Sequence, residues 1–279
     1  LWQRLTELLR QCTVLHADET PVQQLDPGRG KTKRAYLWAY RSNALGADPP
    51  IVVFDYQPGR GGKYVVEFLG NWHGALMVDE FAGYQGLFRG EVIELACMAH
   101  ARRKFFDLHQ ANGSLVAAEA LRRFGEWYAI EATIREKSVE ERARIRKETS
   151  QPLLKAFHLW LLSTRQSVAD GGALAKAIDY SLRRWSALAR YATNGFYPID
   201  NNPIENAIRP IAIGRKNWLF AGSEAAGQRA AAIQSLLETA RMNDIEPMAW
   251  LTNTLEKLPS WPNSRIDELL PLKPLNNPA

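Results

Sequence analysis

The sequence predicts an α/β fold, a mixed sheet covered by helices, and three observations lead to it. Five short apolar and β-branched runs, punctuated by Gly, Pro, Asn and Asp, occupy the first hundred residues. One run at helical spacing stands between the third and the fourth. From residue 99 to about 191 the apolar residues recur at helical spacing instead. Three strands, a helix and further strands ahead of a helical block is the order of a sheet with helical cover.

The expected strands are 14–18, 36–40, 51–55, 74–78 and 92–97, and the expected helix is 63–69, with Val65, Val66 and Leu69 on one face after Gly61-Gly62. In the helical block Leu121, Phe124 and Tyr128 repeat at helical spacing, followed by Leu153, Leu154, Phe157, Leu161 and Leu162. The charged stretch 135–147 reads as the exposed face of a long helix. Pro198 and the Asn201-Asn202-Pro203 turn close the block and open a new helix, with Asn202 as N-cap and Pro203 at its first position. Two helices follow. Ser223 caps the first, whose core face would carry Ile233, Leu236, Leu237 and Ala240, and Pro247 starts the second. From Pro259 onward the Pro- and Asn-rich residues read as an extended tail.

Composition narrows the class. With 279 residues, 46% hydrophobic and 23% charged, the chain has the makings of a packed core, as one domain with an insertion or as two smaller ones. No apolar run approaches the roughly 20 residues that cross a bilayer, and Leu1 opens a polar amphipathic segment, so a cytoplasmic protein is expected. The absence of an initiating Met suggests a longer gene product. Cys12 and Cys97 form no CxxC pair, and the five histidines show no HxxxH or HExxH spacing, which argues against a disulfide framework or a zinc site. A net charge of +5 and a pI near 9.2 are only mildly basic. The clustering says more: Lys31, Lys33 and Arg34; Arg102, Arg103 and Lys104; Arg183, Arg184 and Arg190; Arg209, Arg215 and Lys216. Any one of these is also readable as a solvated face.

Asp18 closes one apolar strand, in Leu15-His16-Ala17-Asp18-Glu19-Thr20, and Asp79 closes Ala75-Leu76-Met77-Val78 in the same way. Two carboxylates at one sheet edge repel each other unless a cation sits between them, and Mg²⁺ suits them as a hard ion that keeps places for water and phosphate oxygens. Two such ions would serve phosphoryl transfer on nucleic acid. Alone, either Asp also fits a turn or a helix cap. Because side chains alternate along a strand, Glu19 and Glu80 should point away from any site built on Asp18 and Asp79. Glu205 in Asn202-Pro203-Ile204-Glu205 fits a capping box as well as a ligand, and the two roles are compatible.

Four segments taken in order carry a resemblance: 16–21 (HADETP), 78–84 (VDEFAGY), 97–105 (CMAHARRKF) and 200–210 (DNNPIENAIRP), continued by 214–223 (GRKNWLFAGS). Together they resemble the insertion sequence 66 family of transposases, over almost the whole chain. The resemblance implies a ribonuclease H-like mixed sheet with helices on both faces and a mainly helical insertion before the last catalytic helix. It divides the chain into the first part of the core at 1–110, the helical insertion at 111–195, the end of the core with the Glu-bearing helix at 196–245, and a C-terminal helix and tail at 246–279. Asp18, Asp79 and Glu205 become the catalytic, metal-binding acids of a DDE triad, served by Mg²⁺ or by Mn²⁺ as substitute.

The implied reaction is metal-dependent cleavage of DNA at an element end followed by strand transfer to target DNA. The rivals are a nuclease that does not join and a noncatalytic DNA-binding remnant. In this frame Arg102, Arg103, Lys104, Arg209, Arg215 and Lys216 bind phosphates. Trp218, with Phe220, either stacks on an unpaired base or packs in the core. His100 is an auxiliary contact or a structural histidine. A homo-oligomer on DNA, associated with the nucleoid and without a membrane, is the expected assembly.

Overall fold

A computed structural model of the chain describes residues 1–273, so the end of the expected tail lies outside the described residues. After helix α1 (Trp2–Leu9) come strands β1 (Val14–Asp26), β2 (Lys31–Ser42) and β3 (Val52–Gln57), helix α2 (Gly62–Leu69), and strands β4 (Ala75–Val78) and β5 (Ile93–Ala96). They form a mixed five-stranded sheet in the order β3-β2-β1-β4-β5, with β1 antiparallel to β2 and β2 antiparallel to β3. The expected strands all exist, but the first two are much longer than their apolar runs. β1 continues through Glu19, Thr20 and Pro21 to Asp26, paired residue by residue with β2 down to Asp26↔Lys31. Asp18 therefore lies within a strand and not at its end. The polar residues that read as a stop belong to the arm of a hairpin, where exposure and a Pro are tolerated.

By contacts the chain falls into two compact units: residues 1–76, 81–93 and 203–279, and residues 77–80 and 94–202. In the first unit the register assigns two faces to the sheet. Val22 of β1, Ala35, Leu37 and Ala39 of β2, and Val52, Phe54 and Tyr56 of β3 share a core with Ile204, Ile208 and Ile211 of helix α9 (Asn202–Trp218) and Ala231 of helix α10 (Glu224–Met242). On the opposite face Tyr40 stacks on Phe68 of α2, with ring centroids 3.8 Å apart.

α10 has a task that its expected core face did not anticipate. Ile233 is half exposed, whereas Gly227, Ala231, Ser235 and Thr239 are buried. These small residues let the helix lie against β3, the edge strand. Ser235 Oγ accepts from Phe54 N at 2.8 Å, and Thr239 Oγ1 accepts from Val52 N and donates to Val52 O, each at 3.1 Å. Hydroxyls thus pair an edge that would otherwise present open backbone groups. At Gly227 a Cβ would come within 2.5 Å of the Tyr56 ring, so a larger residue would push the helix off the sheet.

The second unit is helical: α3 (Met98–Asn112), α4 (Leu115–Ile134), α5 (Val139–Ile145), α6 (Gln151–Gln166), α7 (Ala173–Arg183) and α8 (Trp185–Ala189). Its core joins Phe105, Phe124, Trp127, Phe157, Leu161 and Ile178, and Phe124, Trp127 and Phe157 meet edge to face. The charged stretch 135–147 is not uniformly exposed. Arg146, at the head of a π-helical turn between α5 and α6, is fully buried. It forms a two-pronged pair with Glu131 at 2.6 and 2.9 Å and donates to the carbonyls of Tyr191, Asn194 and Tyr197. A buried guanidinium is tolerable only with such full pairing.

α11 (Pro247–Lys257) is the last α-helix among the described residues, and residues 259–273 are docked instead of extended. They form two 3-10 turns, Leu269 and Leu270 are buried, Trp250 Nε1 donates to Leu269 O at 3.2 Å, and Arg4 pairs with Asp267 at 2.6 Å. The apolar Leu269-Leu270 pair within the polar stretch supplies the anchor. No helix among the described residues is long and apolar enough to cross a membrane.

Candidate catalytic acids and basic surfaces

The register of β1 separates Asp18 from Glu19. Asp18 stands opposite Ala39, on the face that packs α9, while Glu19 stands opposite Trp38 on the other face. Asp18 is half-buried, and its Oδ1 accepts the Glu19 amide N–H at 2.8 Å. The Glu19 side chain is only 1% exposed and fully engaged: Arg60 reaches Oε1 at 2.5 Å and the Tyr84 hydroxyl donates to Oε2 at 2.8 Å. Burial, then the charges of Glu19 and Asp18, push the Tyr84 hydroxyl well above its ordinary range, so it remains a neutral donor.

Phe81, Tyr84 and Trp38 pack as a ring cluster, with Arg60 3.9 Å over the Phe81 ring. Gly83 is required there, because a Cβ would come within 2.2 Å of Phe81. The 81–84 (FAGY) part of the sequence motif thus holds Glu19, a support role that sequence reading missed. Its only signal was an aromatic pair flanking a glycine.

Asp79 follows β4, whose four residues are all buried and which neighbours β1 in the sheet order. Glu80 is exposed, 3.4 Å from Arg183, a pair worth little. Glu205 lies half-buried in the first turn of α9, between Ile204 and Ile208, which pack in the core on the Asp18 face. The first unit thus presents Asp18 and Glu205 on one side of its sheet, and Asp79 belongs to the second unit.

The turn before α9 differs from expectation in one respect. Asn202 does not act as an accepting cap in its bond to Asp200: its Nδ2 and amide N donate to Asp200 at 2.9 and 3.1 Å, and Tyr128 donates to the same carboxylate at 2.9 Å. Asp200, two residues earlier, orders the turn. Cys97 is buried, as expected, and its Sγ accepts from Asn201 N at 3.2 Å. His100 is half-buried at the third position of α3.

The four basic groups sort by their partners. Arg184 pairs with Glu94 at 2.7 Å and Arg190 donates to Glu94 O, so these two are structural, while Arg183 stays exposed beside Glu80. Arg102, Arg103 and Lys104 are exposed along one turn of α3, without an acid within 4 Å among the described residues. Lys31, Lys33, Arg34, Arg209 and Lys216 are likewise exposed and unpaired by acids among the described residues, while Arg215 donates to Pro21 O. Trp218 and Phe220 are each 41% exposed, so neither is a core residue.

The sequence model described as Transposase IS66 family matches residues 1–229, and that of the IS66 C-terminal element matches residues 235–272. The chain is similar to three proteins of Sinorhizobium fredii, each named only as uncharacterized. Similarity to y4qI is 38% identity over 280 residues, covering 96% of this chain and 52% of the relative. For y4jD it is 34% over 286 residues, covering 99% and 56%, and for y4hP 35% over 279 residues, covering 92% and 50%. The chain thus spans about half the length of these curated relatives. With both family models matched in order along nearly its whole length, the chain belongs to the IS66 family of transposases.

Proposed function

We propose that the chain carries the ribonuclease H-like catalytic core of a DNA transposase, with Asp18, Asp79 and Glu205 as its DDE acids. The observation that carries this reading is the division of labour on β1: Glu19 is locked on the far face by Arg60 and Tyr84, while Asp18 faces the side where α9 presents Glu205. The strand order β3-β2-β1-β4-β5, with acids on β1 and directly after β4, supports the same reading. Three carboxylates are hard oxygen donors, a set that suits Mg²⁺ or Mn²⁺. When bound, such ions supply charge neutralisation at the phosphate and an activated oxygen nucleophile.

Asp18, Asp79 and Glu205 would hold the cation. Arg102, Arg103, Lys104, Arg209, Arg215 and Lys216 would neutralise DNA phosphates. The proposed chemistry is hydrolysis of a phosphodiester at the element end, which frees a 3′ hydroxyl, then attack of that hydroxyl on a target phosphodiester, whose P–O bond to the target 3′ oxygen breaks as that oxygen leaves, with no covalent enzyme intermediate. The experiment is a Mn²⁺-dependent reaction on a labelled duplex containing the element end, comparing the chain with Asp79→Asn and Glu205→Gln. Joined products that vanish in both variants support the reading. Cutting without joining would make the chain a nuclease, and binding without chemistry would make it a DNA-binding remnant.

A further inference from the structure

Within the first unit, one surface beyond the acids combines an apolar cavity, exposed aromatic rings and unpaired cations. The far half of the β1–β2 hairpin extends past the pairing of β2 with β3, which ends at Tyr36↔Gln57. The β1 side of this arm is met by the segment after α9: Ala221 N donates to Gln23 O at 2.7 Å and Leu25 N donates to Ala221 O at 2.9 Å. To reach it the chain turns through Leu219, which holds a left-handed φ of 51° and is 63% exposed. A bulky residue in that conformation is costly, and here it is retained on an open surface where packing does not demand it. The turn sets Trp218 and Phe220 at the mouth of a cavity of about 550 Å³, floored by Val22, Leu37 and Tyr56 and walled by α9 and α10.

Charge selects the occupant. Lys33 and Lys31 alternate onto the cavity's face of β2, two and four residues before Ala35, and Lys216 lies two residues before Trp218. None has an acid within 4 Å among the described residues. Of the nearby acids, Asp26 faces Arg29 at 3.6 Å and Glu224 lies on the α10 side, near Tyr56. A flat apolar ring attached to a polyanion satisfies both halves of this surface. Stacking on aromatic side chains within a basic groove is how unpaired bases are held.

We infer that the hairpin arm and the 218–222 segment form a binding site for unpaired DNA, with one base seated in the cavity against Trp218 and Phe220 and its phosphates on Lys31, Lys33 and Lys216. This rests on the reading of the chain as a DNA-acting protein but not on its catalytic acids.

The test is fluorescence anisotropy of the 279-residue chain with a short labelled single strand and with the matching duplex, across a salt series. Variants are Trp218→Ala, Phe220→Ala, the pair Lys31→Gln/Lys33→Gln, and Lys155→Gln on α6 as control. Trp218→Ala should weaken single-strand binding by on the order of tenfold and duplex binding by much less. The double lysine variant should weaken both and lower the salt slope by about 1.4 on the single strand and about 1.8 on the duplex. A 2-aminopurine in the strand should lose fluorescence on binding to wild type and keep it with Trp218→Ala. Equal losses on single strand and duplex, or no loss in either aromatic variant, overturn the site. So does a change of sedimentation in Trp218→Ala with unchanged DNA binding, which would assign the cavity to a second copy of the chain. Loss of nicking in Asp79→Asn with this binding pattern intact bears on the catalytic acids alone.

Discussion

At the residue scale, two neighbouring acids on β1 have opposite fates because a strand turns successive side chains to opposite faces. That much was legible in the sequence: alternation set Glu19 apart from Asp18 before any partner was known. The partners were not legible, because Arg60 and Tyr84 lie 41 and 65 residues away. Glu19→Gln should lower stability by on the order of 2 kcal/mol in urea unfolding, since a charge-assisted pair and a hydroxyl bond both weaken. Asp18→Asn should leave the unfolding midpoint near that of wild type.

Asp55 on β3 offers a pH test. Burial is the main cause raising its carboxyl above the ordinary 3.8, partly opposed by the bond from Gln57 and by Arg10. A native pKa above the unfolded one means that the folded state binds the proton more tightly, so stability falls as pH rises from the ordinary value through the folded one. Asp55→Asn, which keeps an acceptor for Gln57, should melt above wild type at neutral pH. The difference should shrink toward about pH 4 in a series of thermal scans.

At the element scale, periodicity located most elements but misjudged those whose role is set by a distant partner. β1 and β2 outran their apolar runs because each supplies the other's ladder. α10 turned its small and hydroxylated residues inward, not Ile233, because an edge strand needs hydrogen-bond partners more than the helix needs bulk there. The 259–273 stretch looked like a tail because Pro and Asn dominate it, yet two leucines suffice to dock it.

Arg146 is the sharpest case: a charged run on a helix reads as solvent-facing, and only the fold shows that one arginine collects Glu131 and three carbonyls. Arg146→Ala should cost about 3–5 kcal/mol in chemical denaturation, because Glu131 and those carbonyls lose their shared donor. Arg144→Ala, an exposed residue one turn-face away whose pair with Glu148 is on the surface, should cost less than about 1 kcal/mol.

At the scale of the whole molecule, one unit holds most of the sheet with Asp18 and Glu205, and the other holds the helical block and Asp79. The motif order along the chain made the family legible. What motifs leave out is the surface chemistry. Basic groups that look alike in sequence part company in the fold: Arg184 and Arg190 are spent on Glu94, while Arg102 to Lys104 and the hairpin lysines stay open.

The measurement that tests the central claim most directly is Mn²⁺-dependent nicking and joining of an element-end duplex by four folded variants: Asp18→Asn, Glu19→Gln, Asp79→Asn and Glu205→Gln. The account predicts that Asp18→Asn, Asp79→Asn and Glu205→Gln each lose on the order of a hundredfold or more, while Glu19→Gln keeps its chemistry at temperatures where it is folded. Activity that survives in Asp18→Asn and disappears in folded Glu19→Gln would contradict it.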